Sequence, residues 1–88
     1  MNTAEKIKNY LHAEIEISEV DIIDESYKHA NHKKDTRGGH FKLRVVSNAF
    51  STLSLIERHR LVYKILDSLM KVEIHALSIK ALTIEKNK

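Results

Sequence analysis

At 88 residues the chain has room for one small domain and for no second. Its 42% apolar and 31% charged residues exclude a disordered or fibrous chain, and the absence of cysteine excludes a disulfide framework or a thiolate metal site built from this chain alone. The net charge of +3 is unevenly spread: residues 1–25 set Lys6 and Lys8 against seven acids, whereas residues 26–44 set six basic groups against Asp35 alone. A basic, histidine-rich middle of this kind attracts phosphate or an acidic protein surface. No apolar run approaches the roughly 20 residues of a membrane span, and the first ten residues are polar and amphipathic without a signal-type stretch, so the chain is expected to be cytoplasmic and complete.

In chain order, Asn2 followed by Glu5 caps a helix of about ten residues whose inner face carries Ile7, Leu11 and Ala4. Val20, Ile22 and Ile23 form a short β-branched run that reads as a strand. The stretch from Ser26 to Gly39 is polar, holds the only two glycines, Gly38 and Gly39, and reads as a loop. From His40 the pattern alternates strictly, with Phe41, Leu43 and Val45 on one face and Lys42 and Arg44 on the other, which predicts a half-buried second strand.

Ser54 and Glu57 form a capping box that opens the longest helical pattern, whose stripe of Leu55, Val62, Leu66 and Leu69 runs through Met70. After Lys71 the period returns to two: His75, Leu77, Ile79 and Ala81 fall on one face, Ile74, Ala76, Ser78 and Lys80 on the other. A charged tail from about residue 84 or 85 should fray. The order helix, strand, strand, helix, strand predicts an α+β sandwich, with helices packed on one face of a three-stranded sheet of parallel or mixed pairing.

Four separated blocks carry a resemblance: Phe41-Lys-Leu-Arg-Val-Val-Ser-Asn-Ala-Phe50, Leu53-Ser54, Arg58-His59-Arg60-Leu61-Val62-Tyr63, and Ile74-His75-Ala76-Leu77-Ser78-Ile79-Lys80-Ala81. In order and spacing they resemble the BolA family, over about residues 6–83. The block Asp24-Glu25-Ser26-Tyr27-Lys28-His29 is similar to the BolA type with a histidine in its first loop. The resemblance implies a KH-like fold of the second type. It also implies partnership with a monothiol glutaredoxin through a shared two-iron, two-sulfur (2Fe-2S) cluster, and in some members DNA-binding regulation of morphology and stress genes. Two departures stand out: Thr52 occupies a position where the family commonly has glycine, and Ile84-Glu85-Lys86 replaces a Pro-x-x-Trp-like ending, which predicts a shortened or missing C-terminal helix.

Pattern alone makes His75 a strand-edge histidine; the resemblance makes it a cluster ligand, with His29 as the loop ligand. Imidazole in place of thiolate raises a cluster's potential, which suits sensing or transfer. His32 and His40 are alternative loop ligands. A zinc site of His29, His32, His40 and His75 fits no common spacing. Since the thiolates must come from glutaredoxin and glutathione, no cluster is expected on the isolated chain, which should be a monomer or weak homodimer.

The competing function is DNA binding. Lys33, Lys34, Arg37, Arg58 and Arg60 are the candidate phosphate contacts, with Arg58 and Arg60 flanking the apolar stripe at the surface and Phe50 to Met70 mimicking a helix-turn-helix. Against it, two adjacent glycines cannot supply a GXXG clamp, and no aromatic platform is visible. Neither a catalytic triad order nor a phosphate loop nor paired carboxylates are present, so no enzyme is expected.

Overall fold

A computed structural model describes residues 2–26 and 39–84. The described elements are α1 (Thr3–Glu14), β1 (Glu19–Asp24), β2 (Gly39–Val46), a 3₁₀ turn (Asn48–Phe50), α2 (Leu55–Ile65), α3 (Asp67–Val72) and β3 (Ile74–Leu82). Both expected helix caps form, each as a capping box. The Asn2 side chain accepts from Glu5 N at 2.9 Å and the Ser54 hydroxyl accepts from Glu57 N at 3.2 Å. Each satisfies a backbone donor that the first helical turn leaves open.

The sheet is mixed, in the order β1-β2-β3, with β1 antiparallel and β3 parallel to β2. Parallel neighbours need a long crossover, and α2 with α3 supplies it. Leu43 lies between Ile22 and Ile79, and Val45 between Val20 and Ala81, so these residues share the face that the helices cover. Ile7, Leu11, Phe50, Val62, Leu66 and Leu69 close the core from the helical side. The α+β architecture with helices on one face of three strands is therefore as the periodicity indicates. The turn before α2 forms with threonine at position 52: Ser51 N donates to Asn48 O at 3.1 Å and Leu53 N to Phe50 O at 3.0 Å. Of the C-terminal ending only Ile84 is described, and residues 85–88 lie outside the described residues.

Three expectations are corrected. The helical pattern through Met70 is two helices, broken at Leu66, whose backbone sits at φ −94°, ψ 10°. Leu66 is nevertheless fully buried between Val62 and Leu69, so the apolar stripe continues across a break it does not reveal. Leu55 does not belong to that stripe; it is 66% exposed on the first turn of α2. A single-residue junction is also not the three- to four-residue turn of a helix-turn-helix, so Phe50 to Met70 does not have that form.

The second correction concerns Arg58, which is buried, not at the surface. Its Nε donates to Leu53 O at 3.0 Å and its Nη1 to Ala81 O at 3.2 Å. Tyr63 Oη donates to Leu77 O at 3.2 Å, so α2 fastens onto the outer edge of β3 at two carbonyls four residues apart. Satisfying edge carbonyls from a helix blunts an edge that would otherwise invite another strand.

The third correction lies at the start of β3. Gly39 pairs with Ile74 but His40 pairs with Ala76, so His75 is an extra residue with no partner opposite. This bulge shifts the alternation by one. Ile74 enters the core together with Leu77 and Ile79, while His75 leaves the core face on which a strict period of two had placed it and stands exposed.

Candidate functional site

Bulges re-aim a side chain, and here the aim is toward β2. The His40 and His75 rings lie 5.0 Å apart between centroids and are tilted by 51°. His40 is half-buried and His75 exposed, so the pair opens to solvent at one end of the sheet.

Short-range contacts hold His40 and the entry of β2 in place. His40 N donates to Ser26 Oγ at 3.1 Å, and His40 O accepts from Glu25 N at 2.7 Å. Ser26 N in turn donates to Asp24 Oδ1 at 2.9 Å, and the two hydrogen bonds from Ser26, its side chain first, hold the Asp24 carboxyl below the usual carboxylate range. Gly39 N donates to Glu73 O at 2.8 Å, tying the entry of β2 to the residue before β3. Position 39 must be small: a Cβ there would stand 2.5 Å from Phe41 Cε2 and 2.8 Å from Ser26 Oγ, the same hydroxyl that accepts from His40.

From the helical side, Glu73 accepts from Thr3 Oγ1 and Lys6 Nζ, both at 2.8 Å. These contacts, Lys6 first, keep its carboxyl below its ordinary value. Beyond the pair, Val72 is 76% exposed at the end of α3, an apolar side chain three residues before His75.

Of the residues singled out from sequence, His40 and His75 are brought together. His29, His32, Lys33, Lys34 and Arg37 lie outside the described residues. Arg60 is exposed on α2, whereas Arg58 is committed to the interior and does not reach a phosphate. Among the described residues no group of three or more histidine, cysteine or carboxylate side chains is arranged to hold a metal. Two imidazoles bound at about 2.1 Å to one ion in near-tetrahedral geometry would have centroids roughly 5 Å apart, a separation this pair matches. Sequence reasoning missed the bulge that makes the pairing, together with Glu73 and Val72 beside it.

Comparison with known proteins identifies the family to which this fold belongs. The family model described as BolA-like protein matches residues 11–86. SufE-like protein 1, chloroplastic/mitochondrial, of Arabidopsis thaliana is 42% identical over 89% of this chain, and protein BOLA1, chloroplastic, of the same plant is 37% identical over 93%. The chain spans only 23% and 54% of the length of those two relatives. The solved BolA domain of Arabidopsis SufE1 superimposes with a TM-score of 0.84 at 40% identity, covering 98% of each chain, and yeast Fra2 with 0.66 at 28% identity, covering 96% of this chain and 77% of the other. With the fold, the family model and relatives of this identity in agreement over nearly all of its length, the chain belongs to the BolA-like family.

Proposed function

We propose that the protein is a non-enzymatic, cytoplasmic adaptor that docks on a monothiol, CGFS-type glutaredoxin, shares a 2Fe-2S cluster with it, and acts in iron homeostasis and the stress response. The observation that carries this reading is the His40–His75 pair. Two imidazoles sit at a separation compatible with ligation of one metal ion, on a chain without cysteine, so the thiolates are left to the partner and to glutathione. His75 is the strand ligand. For the second ligand, His40 on β2 is supported by its place beside His75; His29, favoured by family resemblance, and His32, both outside the described residues, are the alternatives. Such a cluster supplies one-electron chemistry at a potential raised by imidazole ligation, and the protein's part is to hold two ring nitrogens in fixed orientation.

Anaerobic reconstitution with a CGFS glutaredoxin, followed by absorbance and circular dichroism, tests the reading. Addition of this chain should change the spectrum of the glutaredoxin cluster. An unchanged spectrum overturns it.

A second reading rests on a specific relative: the DNA-binding transcriptional regulator BolA of Escherichia coli is 30% identical over 98% of this chain and 80% of its own length. Under it, Arg60 and the basic segment of residues 26–44 contact phosphates. Affinity for a labelled duplex would then fall with salt, with a logarithmic slope of roughly 0.9 per phosphate contacted. No binding at low salt removes this reading for the isolated chain.

A further inference from the structure

The sheet face opposite the helices leads away from the histidine pair row by row. His40 lies beside Ala76, then Lys42 beside Ser78, then Arg44 beside Lys80. Ala76, Lys42, Ser78 and Lys80 are exposed, and Ile23, the β1 neighbour of Lys42, is 54% exposed.

The charge on this face is divided. Arg44 Nη1 binds both β1 acids, Glu19 Oε1 at 3.1 Å and Asp21 Oδ2 at 2.8 Å, so its charge is spent on the β1 side, which keeps a net negative charge. Lys42 and Lys80 have no ion pair among the described residues. Lys8 of α1 joins them along an open groove of about 880 Å³. The β2–β3 half of the face is thus cationic and continuous with the His40–His75 site.

We propose that this face is the docking surface for the protein that completes the histidine site, and that this partner meets Lys42 and Lys80 with an acidic surface patch. The inference rests on the adaptor reading above. A nucleic-acid strand fits the same face less well. Its continuous line of phosphates would run onto Glu19 and Asp21, and among the described residues no tyrosine or phenylalanine stands on the face to stack a base. A folded partner needs an acidic patch only over β2 and β3, gains apolar contact at Ile23, and is held in register by the histidines at one end.

The test is titration of the unaltered protein and of a K42E/K80E variant with a cluster-free CGFS glutaredoxin, at low and high salt, together with amide shift mapping of the unaltered protein. Charge reversal should weaken binding roughly tenfold or more at low salt and by much less at high salt, whereas K64E on α2 should change it little. Both lysines are exposed, so the melting temperature should stay within a few degrees of the parent. Shifts should concentrate on Ile23, Lys42, Ala76, Ser78 and Lys80. Normal binding by K42E/K80E, or shifts confined to α1 and α2, overturns the docking surface while leaving the adaptor reading in place. Failure of the unaltered protein to bind glutaredoxin at all overturns both.

Discussion

Two carbonyl oxygens, of Leu53 and Ala81, would be left without a protein donor if Arg58 were shortened. Leaving a buried acceptor unsatisfied costs about 1–3 kcal/mol, and the lost stem packing adds to it. Arg58→Met is therefore expected to lower stability by about 2 kcal/mol or more, read as a thermal melt roughly 10 °C below the parent. Arg58→Lys should recover little, because one ammonium lacks the fork that spans both carbonyls. A methionine variant melting with the parent would show that water replaces the guanidinium. His75 is the opposite case. It is exposed on a bulge, so His75→Ala should change stability by no more than about 0.5 kcal/mol while abolishing or strongly altering the cluster formed with glutaredoxin. His40→Ala should disturb the same cluster signature, and His29→Ala should leave it. If His29→Ala removes the signature and His40→Ala does not, the loop ligand is His29.

At the level of elements, the signals that proved readable are local ones. Both helix starts follow from two residues three apart, and β2 follows from alternation within its own sequence. Ser54→Ala removes the acceptor for Glu57 N and should cost about 1 kcal/mol; because α2 carries Arg58 and Tyr63 to the edge of β3, amide exchange along Leu77 to Ala81 should quicken as well. Faster exchange confined to α2 would show that the helix and the strand edge open independently. The features that escaped sequence reasoning are those set by distant partners. The break at Leu66 has no glycine or proline to mark it, and its apolar stripe is unbroken. Arg58 is inside because carbonyls from two other segments need donors there. The bulge at His75 exists only in the register between β2 and β3, a pairing 35 residues apart in sequence that no window across β3 contains. His75 was thus legible as a candidate by residue type and position, whereas its pairing with His40 required the fold.

Across the whole molecule, one carboxylate joins the beginning of the chain to the approach to the site. Glu73 binds Thr3 and Lys6 of α1 through its side chain and Gly39 through its carbonyl, so the acidic N-terminal third, the entry of β2 and the start of β3 meet at a single residue. Its folded carboxyl is held below the ordinary value, chiefly by Lys6 and then by Thr3. On acidification the unfolded chain therefore takes up this proton first. The stabilisation is complete above the unfolded value of about 4.3 and is lost as pH falls through the lower folded value. Glu73→Gln keeps the shape and removes the charge, so it should melt below the parent at pH 7; the gap should stay constant down to about pH 5, narrow below about 4.3 as the unfolded chain takes up its proton, and vanish once pH is below the lower folded value, where the folded parent carries the neutral acid too. Every other side chain is common to the two proteins, which leaves the difference between melting curves to report on Glu73. Both partners are partly exposed, so the gap should also shrink in high salt. A gap that does not narrow between about pH 5 and about pH 3, or one absent at pH 7, would mean that the contact of Glu73 with α1 does not depend on its charge.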